Sequence, residues 1–380
     1  MKYRKIGNTG MSASIIGLGT EFLDGKPYSV VEETINTALE NDINIFDVFM
    51  PGEEVRKNIG KAIGDRRKNV IIQGHIGSVD LNQQYDISRD LHTCEKYFEG
   101  LMENLGTDYI DIGMLFFMDT EEELEKLHTN GIIDYALELK EKGIIKSIGT
   151  SSHNPKVAKK VLETGIVDLL MFSINPAFDM TSPDINVLEE IEELGKKQLF
   201  TVDSERKELY KYCEQQNIAI TAMKAFGGGV ILSKDDSPFK KEMTPVQCID
   251  YVLSRPGAIS AMVGCESVEQ VEESMKYLNS TPEERDYIDI ISEYQEGFDG
   301  KCVYCNHCQP CPSNIDIAMV NKYLDIAILD TNKIPPSIIQ HYKSLPVNGT
   351  DCIACGNCEE KCPFSVPVIK NMEKAAKLLE

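Results

Sequence analysis

The chain predicts an α/β fold, a parallel (β/α)8 barrel of the TIM type followed by a small, mostly helical module. Three observations predict it. Eight short apolar runs alternate with longer segments of helical period over about 280 residues, the usual extent of such a barrel. No Gly-x-Gly-x-x-Gly follows the first run, which disfavours an open doubly wound sheet. Eight of the twelve cysteines then crowd into the last 79 residues, a composition unlike what precedes them. The division expected is a barrel over 1–280, a linker helix over 281–300 and a cysteine-bearing domain over 301–380.

In order, Lys2–Gly10 with Ser12–Ser14 reads as a short hairpin around a glycine turn. The strand-like runs are Ile15–Leu18, Ile43–Val48, Val70–His75, Tyr109–Leu115, Lys146–Thr150, Leu169–Ile174, Ile218–Met223 and Ile259–Val263. Helical patterns cover Val30–Glu40, Glu53–Ile63, Ser88–Leu105, Glu121–Lys142, Pro155–Thr164, Glu205–Gln216, Thr244–Ser254 and Ser267–Tyr277. The stretch Asp179–Lys197 adds length after the sixth strand and reads as a loop helix over the active face. Thr281-Pro282-Glu283-Glu284 opens a helix, and Tyr294–Gly300 reads as the linker. Between the cysteine runs, Ile315–Ile328 and Pro336–Lys343 look helical, with a break at Pro335-Pro336.

A formal charge of −22 and a pI near 4.8 argue against nucleic acid or an anionic membrane as partner. Acidic runs such as Glu121-Glu122-Glu123 and Glu189–Glu193 read as solvated helix faces. No apolar run is long enough to span a bilayer. So many cysteines without an evident export signal point to a reducing cytoplasm, and paired clusters of the kind argued next point to low oxygen.

The two cysteine runs are Cys302, Cys305, Cys308, Cys311-Pro312 and Cys352, Cys355, Cys358, Cys362-Pro363. A [4Fe–4S] cube needs four soft thiolates. Three at two-residue spacing wrap one side of it, and the fourth comes from elsewhere. In two-cluster ferredoxins the cysteine before proline serves the other cluster. Cys302, Cys305, Cys308 and Cys362 would then hold one cube, and Cys352, Cys355, Cys358 and Cys311 the second, in a helical ferredoxin-like module with a long insert. Zinc sites bring cysteines as separated pairs, and disulfides need an exported chain. The first run has two residues rather than three before its fourth cysteine, so the path around Cys311 must be tighter. Cys94, Cys213 and Cys248 sit in helical patterns and read as core, while Cys265 ends a strand.

In such barrels chemistry lies at the C-terminal ends of the strands. Those ends carry Asp47, His75, Phe116-Phe117, Ser151-Ser152-His153, Asn175, Lys224 and Gly264. A buried Asp47 beside His75 would favour the imidazolium and orient its ring, making a proton donor usable near neutral pH. The bland alternative is a hydrogen-bonded structural histidine.

Several segments, in the right order, resemble the aldo-keto reductase family. They are Tyr3–Gly10 through Gly17-Leu18-Gly19-Thr20, Asn44–Asp47, Gly106–Asp111, Ile148–Ser151 and Ser267–Glu273. The cysteine runs resemble those of a subgroup carrying a dicluster ferredoxin-type domain. The resemblance covers essentially the whole chain. It implies carbonyl reduction by a nicotinamide hydride with an Asp, Tyr, Lys and His, yet only Asp47 matches. The family's Asp-Thr-Ala-x-x-Tyr-Gly appears as Asp47–Gly52, shortened and without the tyrosine. Its Thr-Lys is Gly74-His75, and its histidine is Phe116.

The implied cofactor positions are altered too. Ser151 and Ser152 stand where a Ser-Asn pair holds the carboxamide, and Met171 replaces a glutamine. Glu266 stands where a basic residue usually meets the 2′-phosphate of NADPH, so NADH is favoured over NADPH if a nicotinamide binds. Asn175, Gly227, Gly264, Ser267 and Gln270 complete the cofactor candidates, with phosphate on the backbone of Gly227–Gly229 or of the Ser267 helix. Lys224 would take an anionic group or pair with a local carboxylate.

Nicotinamides give electron pairs, whereas each cluster passes one electron. A flavin, or a substrate that takes electrons singly, must reconcile them. The expected function is therefore an iron-sulfur oxidoreductase passing electrons between two [4Fe–4S] clusters and a small molecule or cofactor at the barrel mouth, with His75 and Asp47 supplying the proton. The alternative is a barrel without chemistry that serves as an electron-transfer or docking subunit. Either reading includes a redox partner protein, a ferredoxin or a flavoprotein.

Overall fold

The computed structural model describes residues 1–81, 84–180, 203–291, 300, 302, 304–328, 331, 334–362 and 364–380. Strands β1 (Tyr3–Lys5) and β2 (Ser12–Ser14) pair antiparallel as the opening hairpin. The barrel strands are β3 (Ile16–Gly19), β4 (Ile45–Val48), β5 (Ile71–Ile76), β8 (Ile110–Leu115), β9 (Ile145–Ser152), β10 (Leu169–Ser173), β11 (Ala219–Met223) and β12 (Ala258–Gly264). They close in the order β10-β11-β12-β3-β4-β5-β8-β9, and every pair between them is parallel. Each of the eight expected runs overlaps a strand, whose ends differ from it by two residues or fewer.

Strands in a parallel barrel are covered on both sides, which is why they read as continuous apolar runs rather than alternations. Inside, Ile45, Ile71, Ile112, Met114, Leu169, Met171, Ile259 and Met262 form one core with Ile6 and Ala13 of the opening hairpin. The flexible thioethers fill gaps left by missing side chains: a Cβ on Gly149 would lie 2.4 Å from the Met114 sulfur. Outside, the helices Glu53–Ile63 and Leu91–Leu105 approach so closely that a Cβ on Gly60 would lie 2.3 Å from the Leu105 carbonyl oxygen.

Four expectations change. A second hairpin, β6 (Ser78–Leu81) with β7 (Gln84–Ile87), follows β5, so the third helix starts at Leu91 rather than Ser88. The expected helix Glu121–Lys142 is two, Glu121–Thr129 and Ile132–Glu141, because Gly131 turns left-handed between them at φ 76°. The C-terminal helix Val368–Leu379 was not anticipated. Glu123, expected on a solvated face, pairs with the buried guanidinium of Arg89 at 2.5 Å. The loop helix expected over Asp179–Lys197 and the acidic run Glu189–Glu193 lie outside the described residues, apart from Asp179 and Met180. Of the stretch Tyr294–Gly300 only Gly300 is described.

The chain forms two compact units. The first comprises Met1–Ile174, Ile218–Phe226 and Ala258–Asn279, and includes all eight barrel strands. The second comprises Asn175–Asn217, Gly227–Gly257 and Ser280–Glu380. The second unit thus takes the helices Ser204–Gln216 and Pro245–Leu253 as well as the chain from Ser280 onward.

In the second unit, Thr244 and Thr281 each start a helix with a reciprocal capping box. The helix Ile317–Ala327 packs on Val368–Leu379, and Pro336–Lys343 adjoins both. Among the described residues no helix is long and apolar enough to cross a membrane.

Candidate functional site

Register brings the first group of side chains together. Asp47 on β4 pairs with Gln73 on β5, and His75 lies two residues further along the same face of that strand. The His75 Nε2 lies 2.8 Å from Asp47 Oδ1, with both side chains almost fully buried. Gln73 Nε2 also donates to Asp47 Oδ1 at 3.2 Å and lies 3.5 Å from the Met171 sulfur. Behind them, Thr20 Oγ1 donates to the Asp47 carbonyl at 2.7 Å, fixing the backbone of β4. A carboxylate that accepts from Nε2 sets the tautomer and leaves Nδ1 as the atom that gives or takes a proton. His75 Nδ1 and Gln73 Oε1 are buried without a hydrogen-bond partner among the described residues.

Aromatic rings wall the imidazole. Phe116 meets it edge-on at 5.2 Å and Phe49 at 6.1 Å, and those two rings stack on each other. Tyr85, from the β6–β7 hairpin, stands edge-on against Phe49 at 5.4 Å. Burial, with the charge of Glu21 behind it, pushes its phenol up, so Tyr85 carries its proton at neutral pH. Sequence reading missed Tyr85, Gln73 and Glu21. Only the amide of Gln73, next but one to a candidate histidine on an inward-facing strand, offered a signal.

The remaining expected residues divide. Lys224 follows β11 directly, with φ 57°. Burial lowers its pKa, and Glu21 and Asp119 oppose that shift. Ser151 Oγ accepts from the Phe117 N–H at 2.9 Å, and Ser152 Oγ donates to Asp119 at 3.1 Å. Both hydroxyls thus serve the neighbouring loop, where Asp119 also accepts from the backbone and lies 2.9 Å from the ring of His153. Gly264 ends β12 against Phe22, Ser267 caps the helix Val268–Met275 without a side-chain bond, and Gln270 accepts from the Glu266 N–H. Glu266 is exposed and paired with Lys26 at 2.6 Å. Asn175 and Gly227 belong to the second unit, where Asn175 caps Pro176–Asp179 by accepting from the Phe178 N–H.

In the second unit the two cysteine runs repeat one backbone conformation. The residues flanking the middle cysteine are left-handed in both: Tyr304 and Asn306 around Cys305 at φ 61° and 59°, Ala354 and Gly356 around Cys355 at 53° and 83°. For a tyrosine and an alanine this conformation is costly, so something holds it in place. It turns backbone N–H groups toward sulfur, as at Tyr304, whose N–H donates to Cys302 Sγ at 3.4 Å. Cys362 is among the thiols whose charge acts on Cys305 and Cys308, and Cys358 also acts on Cys308; Cys308 and Cys311 both line one apolar cavity with Cys352, Cys355 and Cys358. The Gln309 side chain braces the short path before Cys311, accepting from its N–H and donating to the Ile315 carbonyl, each at 2.8 Å.

Burial and neighbouring thiols push Cys302 and Cys308 up, and Cys305 to about 12. Such thiols stay protonated and inert unless a cation takes the proton's place. The donor set is soft and sulfur-only, as an iron-sulfur cube requires. Among the described residues no three His, Cys, Asp or Glu side chains close tightly enough for a single metal ion. Cys94, Cys213, Cys248 and Cys265 are all buried core; burial raises Cys94 to about 11 and Cys265 to about 12.

Residues 15–247 match the sequence model described as the aldo/keto reductase family. The chain belongs to the aldo/keto reductase family. Members of that family are oxidoreductases, and this reductase is one of them. It is 25% identical over 306 residues to the "Uncharacterized oxidoreductase YqkF" of Bacillus subtilis (strain 168), covering 74% of this chain and 92% of that one. It is 29% identical over 164 residues to "Aldo-keto reductase YhdN" of the same organism, 40% of this chain and 47% of that one. The structure of aldo-keto reductase AKR11C1 from Bacillus halodurans shares the fold at a TM-score of 0.61 and 18% identity, over 78% of this reductase and 97% of that chain.

Proposed function

We propose that this aldo/keto reductase is an iron-sulfur enzyme passing electrons between two [4Fe–4S] clusters and a small molecule bound at the barrel mouth. Cys302, Cys305, Cys308 and Cys362 would hold one cluster, and Cys311, Cys352, Cys355 and Cys358 the other. The observation that carries the reading is the repeated left-handed backbone around Cys305 and Cys355, one loop built twice around six thiols. When bound, the clusters supply electrons one at a time.

His75 supplies the proton. Asp47 holds Nε2 and balances the imidazolium charge, while Nδ1, which has no partner among the described residues, is the atom that delivers. Phe49 and Phe116 keep water from the ring, so that proton goes to a bound molecule rather than to solvent. Tyrosine and lysine are missing from the family positions, which fits electrons arriving singly better than hydride transfer. NADH or a flavin remains the expected soluble link, and a ferredoxin or flavoprotein the expected protein one.

The test is anaerobic purification, iron and sulfide analysis, and titration of the visible absorbance with dithionite, NADH and NADPH. About eight irons per chain and bleaching by dithionite are expected. Bleaching by NADH alone would place a nicotinamide upstream of the clusters. Zinc, or no metal after anaerobic handling, would sink the cluster assignment. His75→Gln should leave dithionite bleaching unchanged while slowing turnover by about 10²–10⁴-fold; unaltered turnover would remove the proposed role.

A further inference from the structure

We infer that the molecule bound beside His75 brings a hydrogen-bond donor of its own, an N–H or O–H received by Gln73 Oε1, close to the atom that meets His75 Nδ1. Carboxamides, lactams and hydroxy carbonyl compounds make up the class so described. The inference deepens the reading above, from which it takes that a small molecule binds next to His75.

Asp47 decides which ends of the two side chains point away. One carboxylate oxygen, Oδ1, accepts from Gln73 Nε2 at 3.2 Å and lies 2.8 Å from His75 Nε2. The amide cannot turn over, because its carbonyl oxygen would then face the carboxylate. Oε1 and Nδ1 are therefore the far ends of two groups that meet on one oxygen. Gln73 is fully buried and His75 nearly so, and neither far atom has a partner among the described residues. The bond to Asp47 uses only the NH2 end of the amide. Its carbonyl end is answered when a donor arrives, and until then it carries the cost of a buried, unpaired acceptor.

A third such atom lies nearby. Gln73 Nε2 is 3.5 Å from the Met171 sulfur, and Thr221 stands beside Met171 in the register of β10 and β11. Thr221 shares a strand face with Ala219 of the barrel core and is fully buried. Its Oγ1 also has no partner among the described residues. Met171 and the partly buried Met223 are unbranched, and they give room to a ligand by changing rotamer. An analogue without the donor leaves Oε1 unpaired, so the site rejects it.

The test measures affinities by ligand-observed NMR on the anaerobically purified full-length protein. Three matched pairs differ by one donor: δ-valerolactam and δ-valerolactone, benzamide and methyl benzoate, hydroxyacetone and butanone. In at least one pair the donor-bearing member should bind about 10-fold more tightly or better. Gln73→Met, of similar length, should abolish that preference. Gln73→Glu, which shares a proton with Asp47 and still presents an acceptor, should keep it. If Gln73→Met fails to fold, Gln73→Leu reads the same quantity. Equal affinities in every pair, the mark of an ordered water at Oε1 or of no site, would overturn the inference. A preference that survives Gln73→Met, or that Gln73→Glu loses as fully, would do the same. These affinities involve no proton transfer, so unaltered turnover in His75→Gln would sink the reading beneath and leave the comparison intact.

Discussion

Cys362→Ala distinguishes crossed ligation from ligation within each run. By sequence Cys362 closes the second run, but by structure its charge acts on Cys305 and Cys308, thiols of the first. Each cube takes four thiolates, so the variant should lose one cube and keep the other, dropping from about eight irons per chain to about four. Which cube disappears is read from pairs of variants, because losses at one site cannot add while losses at two sites must. Cys362→Ala with Cys305→Ala should contain no less iron than Cys305→Ala alone. Cys362→Ala with Cys355→Ala should contain almost none. The assay is iron and acid-labile sulfide per chain on anaerobically purified protein, with resonance spectra as the check on cluster type. The reverse pattern, an additive loss with Cys305→Ala and none with Cys355→Ala, would refute the crossing.

Asp179→Asn should destabilise by about 3–5 kcal/mol in urea titrations, since it removes a counter-charge of Arg206, which is 2% exposed; a cost under about 1 kcal/mol would show that the contact is dispensable. Gly60→Ala should destabilise by about 1–3 kcal/mol, because the Leu105 backbone cannot give way. Gly100→Ala, with nothing within 4 Å of the added carbon, should stabilise by about 0.5–1 kcal/mol; like signs at the two positions would contradict the packing described. Asp119 resists protonation: burial raises its pKa, but the bonds from His153 and Ser152 outweigh that and bring it below 3.8. Its contribution is present above about 3.8 and lost as pH falls through the depressed value, so Asp119→Asn should flatten the acid limb of the stability curve. An unchanged limb would mean that these bonds persist in the unfolded chain.

Strand positions were legible because a barrel strand buried on both faces leaves a plain apolar run. The β6–β7 hairpin was not, since Ser78-Val79-Asp80-Leu81 is short, polar at alternate positions and followed by glutamines that suit a loop equally well. The meeting of Asp47 and His75 could be read from strand ends, as adjacent parallel strands present those ends together. Phe116 was legible in the same way, but Phe49 and Tyr85 come from a loop and a hairpin whose paths no local periodicity encodes. Tyr251 reaches Asp179 across 72 residues of chain, at 2.8 Å, and nothing local to either residue announces it. The pairing of Glu266 was hidden for a related reason: its partner Lys26 lies 240 residues away.

The interleaving of the two units bears on how the chain is made. The helix Ser204–Gln216 leaves the ribosome well before Lys322, which pairs with its Glu214 at 3.4 Å. The helix Pro245–Leu253 must wait for Asp286, whose carbonyl accepts from Gln247 at 2.5 Å. During synthesis these helices emerge with partners still unmade, and they gain them only as the cysteine-bearing segment arrives. A chain cut after residue 280 would therefore keep two helices of the second unit without these partners. Insolubility of that fragment, and its rescue by supplying residues 280–380 in trans, is the behaviour this interleaving implies.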